Sequence, residues 1–288
     1  MNGTLDHRAS DPSQARAADP LQAQAQAQAI EHLHEHGWCV VPGLLSRDAA
    51  AHVLERLWAA ADENRRRGRE THVGNLDPNA SNVRVFDLLD IDPVFRDLIR
   101  RPQALDLVHG LLGPDVMVSN FTANIARPGS ASMSLHSDQA LVVPPPWLAP
   151  WSMNIIWCLT DVRRENGATL FIPGSHRITR LDELGPDPAS RLRPFEAPAG
   201  SIIAMDGRLW HTSGANVTEN EDRALLFGYY TRAFLRPQAN WNVTLSPGVQ
   251  AGLDAELRQL LGLDAPANVT LARQLLSADV GGQRGRTG

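Results

Sequence analysis

A mainly β fold with flanking helices is what this sequence predicts, an antiparallel barrel or sandwich of the jelly-roll kind. Three observations carry that reading. From Val116 onward, short apolar runs succeed one another between Gly, Pro and Asn turns, and no helices alternate with them. Upstream of Gly113 the pattern is helical instead, with capping signals and apolar stripes. One run, Met153-Asn154-Ile155-Ile156-Trp157-Cys158-Leu159, is apolar on both faces, as a strand covered on both sides must be.

The elements follow in order. Residues 1–29 are predicted to lie outside the fold, first disordered and then, from 21, the frayed start of a helix. That helix runs on through Ile30–His36 and stops at Gly37. Trp38–Pro42 reads as a buried strand. Ser46 is an N-cap for a helix over about Arg47–Arg67, whose Val53, Leu54, Leu57 and Trp58 make one apolar stripe. A loop over 68–81 leads to a strand over Asn82–Leu88. Helices at about Pro93–Arg100 and Pro102–Leu112 each open on a proline. Strands are then expected over Val116–Arg127, Ala131–His136, Met153–Leu159, Gly167–Ile172, Gly200–Met205 and Arg223–Ala233. The segment 140–149 is apolar and stiffened by Pro144, Pro145 and Pro146, a candidate for a loop that covers substrate. Short helices over about Leu253–Leu261 and Ala272–Leu276 close a single domain spanning 30–278, and 279–288 form a disordered tail.

Composition narrows the function. A net charge of −5 over 288 residues leaves no basic stripe for nucleic acid. No apolar run is long enough to span a bilayer and no signal sequence opens the chain, so the expected setting is cytoplasmic, away from membranes. Cys39 and Cys158 sit in apolar runs and read as small buried hydrophobes. A homodimer through the C-terminal helices stays open, because their stripes are too short to decide it.

The chemistry lies between Ser134 and Arg223. In Ser134-Leu135-His136-Ser137-Asp138-Gln139, strand alternation would put His136 and Asp138 on one face. A second imidazole is on offer at His211, in Trp210-His211-Thr212-Ser213-Gly214. Two histidines and one carboxylate on one side of a metal leave three positions open, the arrangement of non-haem Fe(II) oxygenases. Arg223, a permanently charged bidentate donor at the head of an apolar run, suits a dicarboxylate. His32 and His36 also share a helical face but have no third ligand, and they read as a solvated face.

In order and spacing, His136-Ser137-Asp138, then Asn166-Gly167-Ala168-Thr169-Leu170-Phe171-Ile172-Pro173-Gly174-Ser175-His176, then His211 and Arg223, resemble the phytanoyl-CoA dioxygenase family of Fe(II)/2-oxoglutarate-dependent dioxygenases. The likeness covers about 29–238 and leans toward the secondary-metabolite branch. It implies a double-stranded β-helix (jelly roll, cupin-like) in which His136, Asp138 and His211 ligate Fe(II). It further implies that Arg223, joined by Ser213, pairs with the distal carboxylate of 2-oxoglutarate, that O2 is consumed, and that a small metabolite is oxidised at a C–H bond. Candidates for contacts to the 2-oxo acid from other strands are Asn154, Asn124 and Arg84, with Asn82 beside them. Some relatives carry glutamine where this chain has Met133, so one such contact has no counterpart. Related halogenases lack the carboxylate, and Asp138 therefore implies hydroxylation or a kindred oxidation. Trp147, Trp151, Trp210, Phe121 and Tyr229 are candidates for an aromatic pocket, and His176 reads as structural.

Two other classes are open to the same residues. A zinc-dependent cupin-like isomerase or hydrolase would use the triad without Arg223, and a jelly-roll binding protein would keep it without chemistry. Binding of 2-oxoglutarate separates the first from the oxygenase, and formation of succinate separates the second.

Overall fold

The computed structural model describes residues 20–74 and 77–264. Helix α1 (Pro20–His36) leads into strand β1 (Trp38–Val41), helix α2 (Arg47–Arg66) and strand β2 (Asn82–Val85). Three helices follow, α3 (Leu88–Ile91), α4 (Pro93–Ile99) and α5 (Pro102–Leu112). The remaining strands are β3 (Val116–Ala126), β4 (Ser152–Cys158), β5 (Thr169–Phe171), β6 (Arg193–Pro194), β7 (Ile202–Asp206), β8 (His211–Ser213) and β9 (Arg223–Arg232). Short helices α6 (Trp241–Thr244), α7 (Pro247–Ala251) and α8 (Ala255–Leu260) end the described chain.

The strands form a six-stranded antiparallel sheet in the order β1-β7-β4-β9-β3-β2 and a three-stranded sheet in the order β6-β5-β8. This is the jelly roll that the run of strands predicts. The large sheet has two unlike faces. Val83, Ala123, Ile125, Ile155, Trp157, Ala204 and Leu226 turn to the helices and share one apolar core with Leu57, Phe95 and Leu107. Ile156, Cys158, Ile203 and Leu225 turn the other way and pack with Phe171 and Phe195 beside the small sheet. β4 is buried along its whole length because it is covered on both faces.

Local signals act where the sequence places them. Ser46 caps α2, its Oγ accepting from the Ala49 N–H. Gly37 ends α1 at φ 82°, where any Cβ would lie 2.6 Å from the His176 ring. Asp92 and Asp254 cap α4 and α8 in the same way as Ser46. Cys39 and Cys158 are buried free thiols, each pushed up to about 12 by burial.

Four expectations need correction. The segment 20–29 is helical and belongs to the fold. Gln26 donates to the Gln103 carbonyl and Ile30 packs on Gly110, so α1 docks on α5 where only a frayed start was read. β2 stops at Val85, because Asn64 of α2 takes both backbone groups of Phe86 and Asp87 turns left-handed at φ 56°. The loop after His176 contributes β6, which pairs with β5. His32 is only half-exposed, its ring packed edge-on against Trp38. The expected segments over 1–19, Ala272–Leu276 and 279–288 lie outside the described residues.

Candidate active site

The predicted strand over Ala131–His136 does not form. Ser213 Oγ and Thr212 Oγ1 bind the backbone N–H and C=O of Met133, and the Ser134 carbonyl is taken by the His136 ring. Side chains thus replace the ladder, and only one bridge survives. His136 and His211 exchange backbone hydrogen bonds of 2.9 and 2.8 Å. Asp138 heads a 3-10 turn over Asp138–Leu141. Alternation still operates across one extended residue. Ser137 (φ −122°, ψ 133°) turns to Gly207 and donates to its carbonyl, leaving His136 and Asp138 on the opposite side. Gly207 must be glycine, since a Cβ there would meet Ser152 Oγ at 2.0 Å and its backbone oxygen at 2.8 Å.

His136, Asp138 and His211 thereby bring three ligand atoms within 4.8 Å of one another. Nε2 of His136 lies 3.8 Å from Asp138 Oδ1, and Nε2 of His211 lies 3.7 Å from Asp138 Oδ2. These gaps exceed a hydrogen bond. They suit donors on one small ion, whose own bonds are about 2.0–2.2 Å. Each imidazole Nδ1 sits against a carbonyl, at 2.8 Å from Ser134 and 2.9 Å from Leu209. A carbonyl only accepts, so both Nδ1 atoms carry a proton and each Nε2 is turned to the cluster. Burial pushes His211 below its ordinary pKa against the pull of Asp138, which keeps the imidazole neutral. Two imidazole nitrogens and one carboxylate fit a divalent transition metal.

Strand register settles which side the other candidates face. Arg84 is paired with Asn124 and Asn124 with Leu225, while Asn154 is opposite Tyr229. All four polar candidates, Asn82 included, therefore share the face that carries Arg223, Leu225, Phe227 and Tyr229, the interior of the roll. Arg223 is 1% exposed. Its Nε donates to the Gly167 carbonyl at 2.9 Å, and Nη1 to Asn124 O and Oδ1 at 3.1 and 3.3 Å. No carboxylate among the described residues answers its charge. Burial, with Arg84 nearby, depresses it to about 10. Nδ2 of Asn124 is also buried without an acceptor. Arg84 itself is taken by the wholly buried Asp77 at 2.7 Å and touches Met133 Sδ, the side chain standing three before His136. Ser213 accepts from Met133, and its own O–H donates to none of the described groups. Along β8, His211 is opposite Phe171 and Ser213 opposite Thr169, with Gly167 just beyond. One two-residue step, about 7 Å, thus separates the level of the histidine from that of Ser213.

Asn154 is engaged at the metal corner. Its Nδ2 donates to Asp138 Oδ2 at 2.5 Å, and the Tyr229 hydroxyl donates to the Asp138 carbonyl at 3.1 Å. Tyr229 enters this corner as a hydrogen-bonding residue as well as an aromatic one. Counting by twos from Arg223 reaches it. Of the other aromatics, Phe121 packs on Phe95 toward the helices, and Trp210 is buried with Ile172 and Leu184. Neither lines the interior. Trp147 is anchored through its Nε1 to the Val142 carbonyl, while Trp151 meets Phe234 edge-on. Gln139, fully buried, closes the loop between them, donating to Ala149 O and accepting from Trp151 N. Outside that clip Leu141, Val143 and Leu148 are bare to solvent, Leu148 at 90% exposure. No helix among the described residues is long and apolar enough to cross a membrane.

The arrangement defines a class first: a jelly roll whose interior gathers a two-histidine, one-carboxylate cluster and a buried unanswered arginine. Solved structures share its fold. SnoK, a non-haem α-ketoglutarate-dependent carbocyclase from nogalamycin biosynthesis, superposes with a TM-score of 0.60 at 24% identity, over 80% of this chain and 94% of that one. HygX from Streptomyces hygroscopicus, seen with nickel, 2-oxoglutarate and hygromycin B, gives 0.59 at 17% identity, over 73% and 88%. The chain is 52% identical over 232 residues to the dioxygenase af480 of Aspergillus fumigatus, which spans 81% of this chain and 75% of that protein. The phytanoyl-CoA dioxygenase (PhyH) family matches residues 33–224, and the chain belongs to it. It is accordingly an Fe(II)/2-oxoglutarate-dependent dioxygenase that consumes O2, as the motif order implied.

Proposed function

We propose that His136, Asp138 and His211 hold the Fe(II), and that Arg223 receives the distal carboxylate of 2-oxoglutarate, with Asn124 Nδ2 and the Ser213 hydroxyl as further donors. The observation that carries this is the buried Arg223 guanidinium, which has three carbonyl acceptors and no anion. A permanent cation in such a place stays costly until a carboxylate arrives. Arg84 is held by Asp77 and so is not a free donor at the same end. When bound, the iron and the 2-oxo acid supply the oxidising power. The chain's residues fix their places and keep the His211 imidazole neutral.

The reaction we infer is oxidation of a small, largely apolar metabolite of secondary metabolism at a C–H bond, by hydroxylation or a related outcome and not by halogenation. Asp138 fills the position a halide would need. Half-buried Phe227 on the interior face, the Trp151–Phe234 pair and the bare side chains of the 140–149 loop suit an apolar ring system. Two of the fold neighbours act in nogalamycin biosynthesis or carry hygromycin B, which supports a natural-product substrate.

The test is anaerobic. Fe(II) and then 2-oxoglutarate are added to the apoprotein, and the weak visible charge-transfer band of the chelate is followed, with Arg223→Ala alongside. The band should form in the wild type and weaken in the variant. Oxygen should then release succinate, and a panel of polycyclic metabolites should reveal substrate by raising that rate. A wild type that shows no band overturns the assignment.

A further inference from the structure

We propose that the cavity framed by residues 233–242 is a substrate subsite, built for an extended apolar metabolite that ends in a carboxylate. The proposal rests on the oxidative reading above and adds a place for the part of the substrate that does not react. The chain leaves β9 at Arg232 and returns along β3. The Ala233 N–H donates to the Asp115 carbonyl and the Ala239 N–H to the Ser119 carbonyl, so the bend is pinned at both ends. It frames a cavity of about 610 Å³, within the range of small-molecule pockets. Met117, Phe234, Trp241 and Leu261 give it apolar walls, Arg236 and Gln238 stand among them, and no carboxylate lines it.

Strand register puts this cavity beside the metal corner. Met117 is opposite Thr231 and Asn120 opposite Tyr229, both on the face that carries Arg223. Plain alternation could not turn Met117 and Asn120 the same way, because three positions separate them. The β-bulge between Val118 and Asn120 supplies the extra residue, while Phe121 keeps its place in the helix-side core. Asn120 thus stands next to Tyr229, whose hydroxyl donates to the Asp138 carbonyl, and its own Nδ2 donates to Gln238 Oε1 at 3.0 Å. Ser119 Oγ accepts from the Gln238 N–H, which holds the same residue by its backbone. On the other flank Phe234 meets Trp151 edge-on, and the Trp151 N–H is held by Gln139, the residue after Asp138.

These positions set the length and the chemistry of the ligand. One two-residue step along a strand and two strand spacings across place the cavity roughly 10–15 Å from the metal corner. A molecule that reaches both is long. With Oε1 spent on Asn120, Gln238 offers its Nε2 donor, and Arg236 offers an exposed guanidinium. Donors without an acidic neighbour suit an acceptor, and a carboxylate answers the charge as well.

The test uses a dansylated undecanoic acid and its methyl ester as probes of the metal-free full chain, read by dansyl fluorescence. The acid should bind about fivefold tighter than the ester, the upper worth of a partly exposed ion pair. Arg236→Gln should bring the acid to the level of the ester. Asn242→Trp, which fills the cavity from an exposed position, should weaken acid and ester alike, roughly tenfold. Equal binding of the two probes by the wild type, no binding of either, or wild-type affinities in both variants overturns the proposal. Mn(II) is then added and proton resonances of the bound acid are followed. The dansyl protons should broaden more than the methylene beside the carboxylate; the reverse order puts the carboxylate at the metal and overturns the subsite. A wild type that takes up no Mn(II) overturns the metal reading instead and leaves the fluorescence result in force, so the two failures are distinct.

Discussion

The two faces of the six-stranded sheet are made by the same strands and obey opposite rules. Toward the helices, Ile155, Trp157, Ala224 and Leu226 enter a continuous apolar core. Toward the small sheet, one residue along each strand, stand Arg84, Asn124, Arg223, Asn154 and Tyr229. Several polar groups there are buried without partners, Asn124 Nδ2 and Asn154 Oδ1 among them. The first face is given to the apolar core; the second mixes the apolar cluster of Ile156, Cys158 and Leu225 with buried polar groups that, on the proposal above, receive charged ligands. The difference teaches where to look for a separation of stability from activity: in single residues that alternate along the same strands.

The largest effect should come from the interior. Asp138→Ala, or either histidine to alanine, should reduce succinate release to the level of metal-free protein while leaving chemical denaturation nearly unchanged. Retained oxidation would break the comparison at its centre. On the opposite face, Leu226→Ala should cost about 2–5 kcal/mol of unfolding free energy through the cavity left behind. The 2-oxoglutarate affinity of the folded fraction should not move. Arg223→Leu is the sharpest probe because it should move the two properties in opposite directions. Two or more charged hydrogen bonds lost at about 1.5–3 kcal/mol each amount to at least a tenfold weaker Kd for 2-oxoglutarate. The ligand-free protein should melt at the same temperature or higher, since an unanswered buried charge is gone. A lower melting temperature would show the arginine to be structural. Smallest is Ser46→Ala, which removes the cap of α2 for about 1 kcal/mol and should leave every ligand affinity as it was.

Much of this was legible in the sequence, and the exceptions are instructive. The central strand, the Ser46 cap, the proline-led helices and the grouping of His136, Asp138 and His211 all follow from periodicity and motif order. The reason offered for the grouping was only partly right. A continuous strand was expected, yet alternation holds across Ser137 alone and the turn begins at Asp138. Side-chain oxygens of Thr212 and Ser213, invisible to any pattern, displace the ladder at Met133. Strand parity left Arg84, Asn124 and Asn154 undecided, because facing needs register and register needs partners. With the partners known, all three face the interior, but they differ in what they hold. Arg84 is matched to Asp77 and Asn154 to Asp138, while Asn124 helps seat Arg223. Helix α1 escaped over 20–29 because Gln/Ala alternation carries no apolar stripe. Its docking on α5 runs through the Gln26 amide and Ile30 against Gly110.

The clip made by Gln139 has a consequence for how such a molecule diversifies. Its amide ties Ala149 to Trp151 directly behind Asp138, so the residues from 140 to 149 form a closed bight with both ends pinned before its tip is specified. Replacing the tip alters nothing that the metal corner leans on. On the proposal that this bight covers the substrate, selection can treat it as an exchangeable cassette, trying new tips against new molecules while the metal corner beneath stays as it is.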